Sequence, residues 1–205
     1  MRGWANRGAC YDEGMEIDFP HGKKLRLVIG DITKIRVDAI VNAANAGLRG
    51  GGGVDGAVHR AGGPAIMRAL DEIRAKSGGC STGSAVVTTA GALPAQYLFH
   101  AVGPMYRDGK HGEADHLASC YRKCLELGEK HGVRTISFPA ISTGIFGYPV
   151  EEAAAIAVDA IAEHLRRPET GVREVLLVLY EQGFYDLHAR VAVARFVAER
   201  VSVSP

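Results

Sequence analysis

A carboxylate, a pair of amides and a run of glycines stand close together in this chain, the first two each at the end of an apolar segment. Gly30-Asp31-Ile32-Thr33 closes one apolar run and Val41-Asn42-Ala43-Ala44-Asn45 closes the next. Gly50-Gly51-Gly52-Gly53 then leads through Val54-Asp55-Gly56 into what reads as a helix start. Glycine lets successive backbone N–H groups turn toward one anion without interference from a Cβ. A helix beginning at Asp55–Gly56 would add the positive end of its dipole. This order sets a base-binding carboxylate, a sugar-binding amide and a diphosphate-binding loop along one edge of one sheet. It implies a nucleoside-diphosphate ligand, and Asn45 with Asp55 suggest chemistry on it. The Gly-Lys-Ser/Thr of a Walker A loop is missing, and the dinucleotide-binding fingerprint is a poor match.

A second loop, Ile141-Ser142-Thr143-Gly144-Ile145-Phe146-Gly147-Tyr148, also lies between a strand and a helix and is rich in small residues. Two such loops suggest a paired cradle for a pyrophosphate, with Phe146 packing on a sugar or anchoring the loop to the core. The single residues have plain readings as well. Asp31 would serve as a turn or cap residue, and Asp55 as the cap of the helix that follows it. Negative charge at a helix N-terminus is favourable, whereas a carboxylate beside a bound phosphate is repulsive; that placement makes sense if Asp55 polarises water or a ribose hydroxyl. His59, one helical turn on, could pack, or hydrogen-bond Asp55 or a loop carbonyl. Buried strand amides need partners, so of Asn42 and Asn45 one would tie loops together and the other face the ligand. His100, within a strand, reads as a satisfied core histidine.

The elements that must hold these residues alternate along the chain. Strands are predicted over Met15–Phe19, Leu25–Ile29, Ala39–Ala43, Ser84–Ala90, Tyr97–Val102, Thr135–Ala140 and Glu174–Tyr180, several of them apolar at consecutive positions as in sheets covered on both faces. Helices are predicted over Val54–Lys76, broken near Gly62-Gly63-Pro64, then Ala114–Lys130, Glu151–Arg166 and Tyr185–Arg200. Strands alternating with helices predict a three-layer α/β/α domain. The 205 residues fit one domain, read as residues 16–205, with residues 1–15 a flexible or peripheral extension. A net charge of +1 gives no field to attract duplex nucleic acid. No apolar window reaches the ~20 residues of a membrane span, and no signal peptide is legible. The four cysteines, Cys10, Cys80, Cys120 and Cys124, form no C-x-x-C pair and no zinc spacing; Cys120 and Cys124 share a helix face as small buried hydrophobes. The cytoplasm is the default compartment, and a monomer the default state.

In order and spacing, Gly30–Gly56 and Ser142–Tyr148 resemble macrodomains, specifically the MacroD-type ADP-ribose hydrolases. The signature is Asn45 followed by Gly-Gly-Val-Asp-Gly-Ala-Val-His at Gly52–His59; Ala101-Val102-Gly103-Pro104 and Phe138–Gly144 also match, and the likeness spans about Leu25–Arg190. The resemblance implies an α/β/α sandwich around a mixed sheet of about six or seven strands. It implies that Asp31 accepts from the adenine amino group with Ile32 beside it, and that Gly52, Gly53 and Val54 meet the pyrophosphate opposite Ser142, Thr143, Gly144, Ile145 and Phe146. Asn45 would hold the distal ribose, Asp55 would be the catalytic carboxylate, and His59 a possible support. It implies deacetylation of O-acetyl-ADP-ribose and removal of mono-ADP-ribose from acidic side chains of proteins, with no cofactor and no metal. A non-catalytic ADP-ribose reader is the alternative, and a binder of poly-ADP-ribose or RNA ends a weaker one. Two positions depart from the pattern. After the last strand, Tyr180-Glu181-Gln182-Gly183-Phe184-Tyr185 replaces an acidic run, with Tyr185 the expected adenine-stacking ring and Phe184 its rival. Gly62 replaces a common alanine and is expected to loosen the first helix.

Overall fold

A computed structural model describes residues 11–12, 14–197 and 203–204. Most of the N-terminal extension, with Trp4 and Cys10, and the expected helix end at Arg200 lie outside them. The strands are β1 (Tyr11–Asp12), β2 (Glu16–Phe19), β3 (Lys23–Gly30), β4 (Ala39–Ala43), β5 (Ala85–Thr89), β6 (Tyr97–Ala101), β7 (Thr135–Phe138), β8 (Glu174–Leu179) and β9 (Val203–Ser204). The helices are α1 (Gly53–Gly62), α2 (Pro64–Ser77), α3 (Glu113–Lys130), α4 (Val150–Leu165) and α5 (Gln182–Val197). All strands join one sheet in the order β5-β6-β4-β7-β8-β3-β2-β9, and β1 also pairs with β3. The central run β6-β4-β7-β8-β3 is parallel; β5, β2 and β1 are antiparallel to it, and β9 pairs antiparallel with β2. The seven predicted strands are all present. The two extra ones are two residues long, too short to show alternation in sequence.

The two-residue period of a strand sends neighbouring side chains to opposite faces, and here both faces are buried. Leu25, Leu27, Val41, Phe99, Phe138, Val175 and Leu177 join a core with Leu117, Tyr121 and Cys124 of α3, Ala157 and Ile161 of α4, and Ala192 and Phe196 of α5. Val28, Ile40, Leu98, Leu176 and Val178 face the other way, onto Val58 of α1 and Ile66 and Leu70 of α2. This is the expected three-layer sandwich. Cys120 and Cys124 are buried free thiols, as expected, and burial pushes the Cys120 thiol up to about 12. At Gly62 an added Cβ would stand 2.1 Å from Ile66 Cδ1 and 3.1 Å from Ala90 O, so glycine permits a close approach there. Among the described residues, no helix is long and apolar enough to cross a membrane.

Parallel strands carry their C-terminal ends to one edge, and that edge is where open α/β sheets place ligands. The segments leaving β3, β4, β7 and β8 begin there with Asp31, Ala44, Pro139 and Tyr180. The sheet thus brings together loops separated by up to about 150 residues of chain.

Candidate active site

A cavity of about 550 Å³ opens at this edge, a volume in the range of roughly 300–1,000 Å³ usual for small-molecule sites. Asp31, Ile32, Gly53, Val54, Thr143 and Gly144 line it, together with Ala57 and Arg60 of α1 and Tyr180, Glu181 and Phe184 near the start of α5. A second cavity of about 140 Å³ continues past Gly53, Val54 and Gly144, and is lined by Asn45, Gly51, Gly52, Asp55, Ser142, Ile145 and Phe146. Every predicted site residue except Tyr185 and His59 borders one of the two.

Asp31 follows β3 and caps a 3-10 turn, Ile32–Lys34. Its Oδ1 accepts both from Thr33 N at 2.9 Å and from Thr33 Oγ1 at 2.7 Å. The cap reading is therefore correct, and one carboxylate oxygen supplies it. The glycine run also resolves locally. Gly52 is the N-cap of α1 and offers no side chain, so Asp55 is the third helical residue and not the cap. The first-turn N–H groups of an α-helix lack intrahelical partners, and Gly53 and Val54 border both cavities. Gly56 must be small: a Cβ would lie 2.6 Å from Gly51 O, in the loop itself.

Asn45 does two of the jobs proposed for the amides. Its Nδ2 donates to Gly50 O at 2.9 Å, closing the loop, while the residue borders the small cavity. Asn42 faces no ligand. It is fully buried in β4, and its Nδ2 donates to Asp55 Oδ1 at 2.6 Å. His59 Nε2 approaches the same oxygen at 3.3 Å, so the Asp55 contact, not simple packing, is the outcome for His59. Asp55 is 5% exposed, and its other oxygen, Oδ2, lies toward Gly51, 3.2 Å from where a Cβ there would stand. One oxygen is held by the protein; the other turns toward the loop and Asn45.

The opposing loop is anchored from within. Tyr148 N donates to Ser142 O at 3.0 Å, Gly147 N to Gly144 O at 2.9 Å, and Tyr106 N to Phe146 O at 2.9 Å. Ser142 adopts φ +68°, and its Oγ is buried without a protein partner. Ile145 is 80% exposed and reaches across the gap: its Cδ1 is 3.3 Å from a Cβ built on Gly52.

The two candidate aromatics for the adenine end separate in the structure. Phe184 borders the large cavity and Tyr185 does not. Tyr185 is engaged elsewhere, its hydroxyl accepting from Met15 N at 2.9 Å. The physical reason is the helix start. α5 begins at Gln182, three residues earlier than predicted, so both aromatics sit on a helix, where consecutive side chains diverge by about 100°.

Sequence reading also passed over the support beneath Asp55. His100 Nδ1 lies 3.2 Å from Asn42 Nδ2, and His100 Nε2 lies 2.9 Å from Thr88 Oγ1. An asparagine inside an apolar strand was the available signal. Burial, with the charge of His59 as a lesser cause, pushes His100 down to about 3. The unfolded chain protonates this histidine near its ordinary 6.5 while the folded state refuses the proton. Stability contributed by the neutral ring is therefore complete above 6.5 and is lost as pH falls from there toward about 3. Linkage puts the loss at roughly 2 kcal/mol between pH 7 and pH 5. Burial lowers His164 and His188 also, with the same sign. Urea unfolding at the two pH values should show the wild type losing about 2 kcal/mol more than His100→Asn; equal losses would contradict it.

One group outside the cleft brings three potential metal ligands together. Asp108, His111 and Glu113 place ligand atoms within 4.8 Å of one another. The Glu113 carboxylate is already taken by backbone N–H groups of His111 at 2.6 Å and Arg107 at 3.3 Å, so the cluster serves as a loop clasp.

The comparisons with known proteins agree with this fold. The macro domain family model matches residues 41–157. The O-acetyl-ADP-ribose deacetylase 1 of Pantoea vagans is 50% identical over 169 residues, covering 82% of this chain and 98% of that protein. The O-acetyl-ADP-ribose deacetylase of Salmonella typhimurium is 50% identical over 171 residues, 82% and 93% of the two chains. Among solved structures, the Oceanobacillus iheyensis macrodomain with ADP superposes with a TM-score of 0.85 at 37% identity, over 92% of this chain and 99% of that one. The Trypanosoma brucei macrodomain in complex with ADP-ribose gives 0.73 at 37% identity, over 81% and 68%. With the family model covering more than half its length and relatives near 50% identity over four-fifths of it, this chain belongs to the macro domain family.

Proposed function

We propose that the protein is an ADP-ribose-binding ester hydrolase that deacetylates O-acetyl-ADP-ribose and removes mono-ADP-ribose from acidic side chains of proteins. The observation that carries this reading is the divided carboxylate of Asp55. Oδ1 is held by Asn42 and His59, and Oδ2 is directed to the small cavity it shares with Asn45. A module that only binds the ligand has no use for a buried carboxylate at that end.

In this reading Asp31 accepts from the adenine amino group through the oxygen its cap leaves over, with Ile32 beside the base. Gly52, Gly53 and Val54 hold the diphosphate from one side and Ser142–Phe146 from the other. Ile145 buries its exposed side chain against the clamped ligand. Asn45 and Phe146 then orient the distal ribose, and Asp55, directly or through a water, promotes attack on the ester. General-base help of this kind is worth ~10²–10⁴-fold, and orientation a comparable factor. No step calls for a metal. The names of the Pantoea and Salmonella relatives support the deacetylase reaction, and the ADP-ribose complex of the Trypanosoma neighbour supports the ligand.

The test is turnover of O-acetyl-ADP-ribose and of an ADP-ribosyl-glutamate peptide, followed beside calorimetric titration with ADP-ribose. Binding without turnover on either ester would make the protein a reader. The aromatic wall gives a separate prediction. Phe184→Ala should weaken ADP-ribose binding about tenfold, as loss of a stacked ring does, at ~1–3 kcal/mol. Tyr185→Phe should leave affinity unchanged and lower stability by about 1 kcal/mol, through the lost bond to Met15 N. The reverse pattern in titration and melting would restore Tyr185 as the stacking ring.

A further inference from the structure

We propose that His100, backed by Thr88, is a positioning residue that decides which oxygen of Asp55 faces the substrate. The inference rests on the reading of Asp55 as the working carboxylate. Thr88, His100 and Asn42 come from three neighbouring strands, β5, β6 and β4, and Asn42 and His100 are direct register partners. Alternation places their side chains on the face that α1 covers, because Val86, Leu98 and Ile40, two residues from each, belong to that core.

The proton positions in this row follow from its far end. Thr88 Oγ1 donates to Thr89 O at 2.9 Å, so its oxygen is free only to accept. It accepts from His100 Nε2 at 2.9 Å, which puts the ring proton on Nε2 and leaves Nδ1 a bare lone pair. That lone pair takes one hydrogen of the Asn42 amide at 3.2 Å, and the second amide hydrogen goes to Asp55 Oδ1 at 2.6 Å. Turning the amide over would set its oxygen against a lone pair and a carboxylate together. The orientation chosen leaves Asn42 Oδ1 buried without a partner. A side chain present only to fill space would not need that arrangement; it follows if the two N–H bonds are what the site requires. A protonated His100 would present an N–H to the amide and break the row; its burial, and His59 on its Asp55 side, oppose that protonation. With Oδ1 held by Asn42 and His59, Oδ2 is the oxygen turned toward Gly51 and Asn45.

The variants His100→Asn and His100→Gln separate the row from mere packing. Asparagine offers an acceptor near the position of ring Nδ1, whereas glutamine reaches toward Nε2 and leaves the Asn42 amide without its acceptor. On O-acetyl-ADP-ribose, His100→Gln should lower kcat about 10–100-fold, as misplacement of a reacting group does, with KM and the ADP-ribose Kd within about threefold. His100→Asn should recover most of that loss. Equal losses in both variants, or a fall in affinity matching the fall in kcat, would overturn the proposal. Long-range proton–nitrogen spectra of the wild type give a readout that needs neither variants nor turnover. His100 should carry its proton on Nε2, and a proton on Nδ1 would overturn the row outright. Absent wild-type turnover would sink the hydrolase reading and the catalytic half of this inference, while the tautomer would still decide the geometry.

Discussion

Asp55→Ala should lower turnover of O-acetyl-ADP-ribose by at least ~10²-fold while ADP-ribose affinity stays within about tenfold of wild type. The asymmetry follows from where the carboxylate sits. Asp55 borders only the small cavity, whereas Asp31, Ile32 and Phe184 line the large one. In the proposed reading, recognition of the base therefore does not pass through Asp55. Removing a negative charge near a bound diphosphate would, if anything, favour binding. Stability should fall as well. The Asn42 amide loses its acceptor in a fully buried position, which costs about 1–3 kcal/mol. Asp55→Asn keeps the volume and serves as the control for that packing loss. Steady-state kinetics, titration and a melting curve on each variant suffice. Turnover retained in Asp55→Ala would remove the carboxylate from the mechanism.

The same residue shows how far the chain could be read in advance. Strand and helix patterning was enough for the three layers, because both faces of the sheet are covered and several of its strands are apolar at consecutive positions. Asn45, Asp55 and the glycines were legible as a group because they are close in sequence. The row Thr88-His100-Asn42 was not. Its members lie on three strands, and only the order β5-β6-β4 makes them neighbours. Asn42 did carry a signal, since a buried amide must be paired, but no local pattern names the partner. Which of Phe184 and Tyr185 borders the cavity was hidden for a different reason. α5 begins at Gln182, three residues earlier than predicted, so Phe184 is helical as well and diverges by about 100° from Tyr185, and boundaries are what sequence patterns give least well.

Gly103→Ala should weaken ADP-ribose binding at least ~10-fold although Gly103 contributes no side chain to the site, and overpacking of this kind also costs ~1–3 kcal/mol of stability. Gly103 lies just past the end of β6, against the loop that follows β7, and it borders the small cavity. A Cβ there would stand 2.2 Å from Ser142 Oγ and 2.7 Å from Ile141 Cγ2. Neither contact can stay. Ser142 has little freedom to yield, because it already adopts φ +68° and its carbonyl accepts from Tyr148 N. The displacement must pass into Thr143–Phe146, the segment proposed to close on the diphosphate. Ser142→Gly on the same background removes the Oγ and suits the positive φ, so the double variant should recover part of the affinity. The Ile141 contact remains, so recovery should be incomplete. Titration across the four proteins of the cycle should give a coupling of about 0.5–3 kcal/mol between positions 103 and 142. Normal binding by Gly103→Ala would mean the loop after β7 can move without loss, and that the clamp on the diphosphate does not depend on its position.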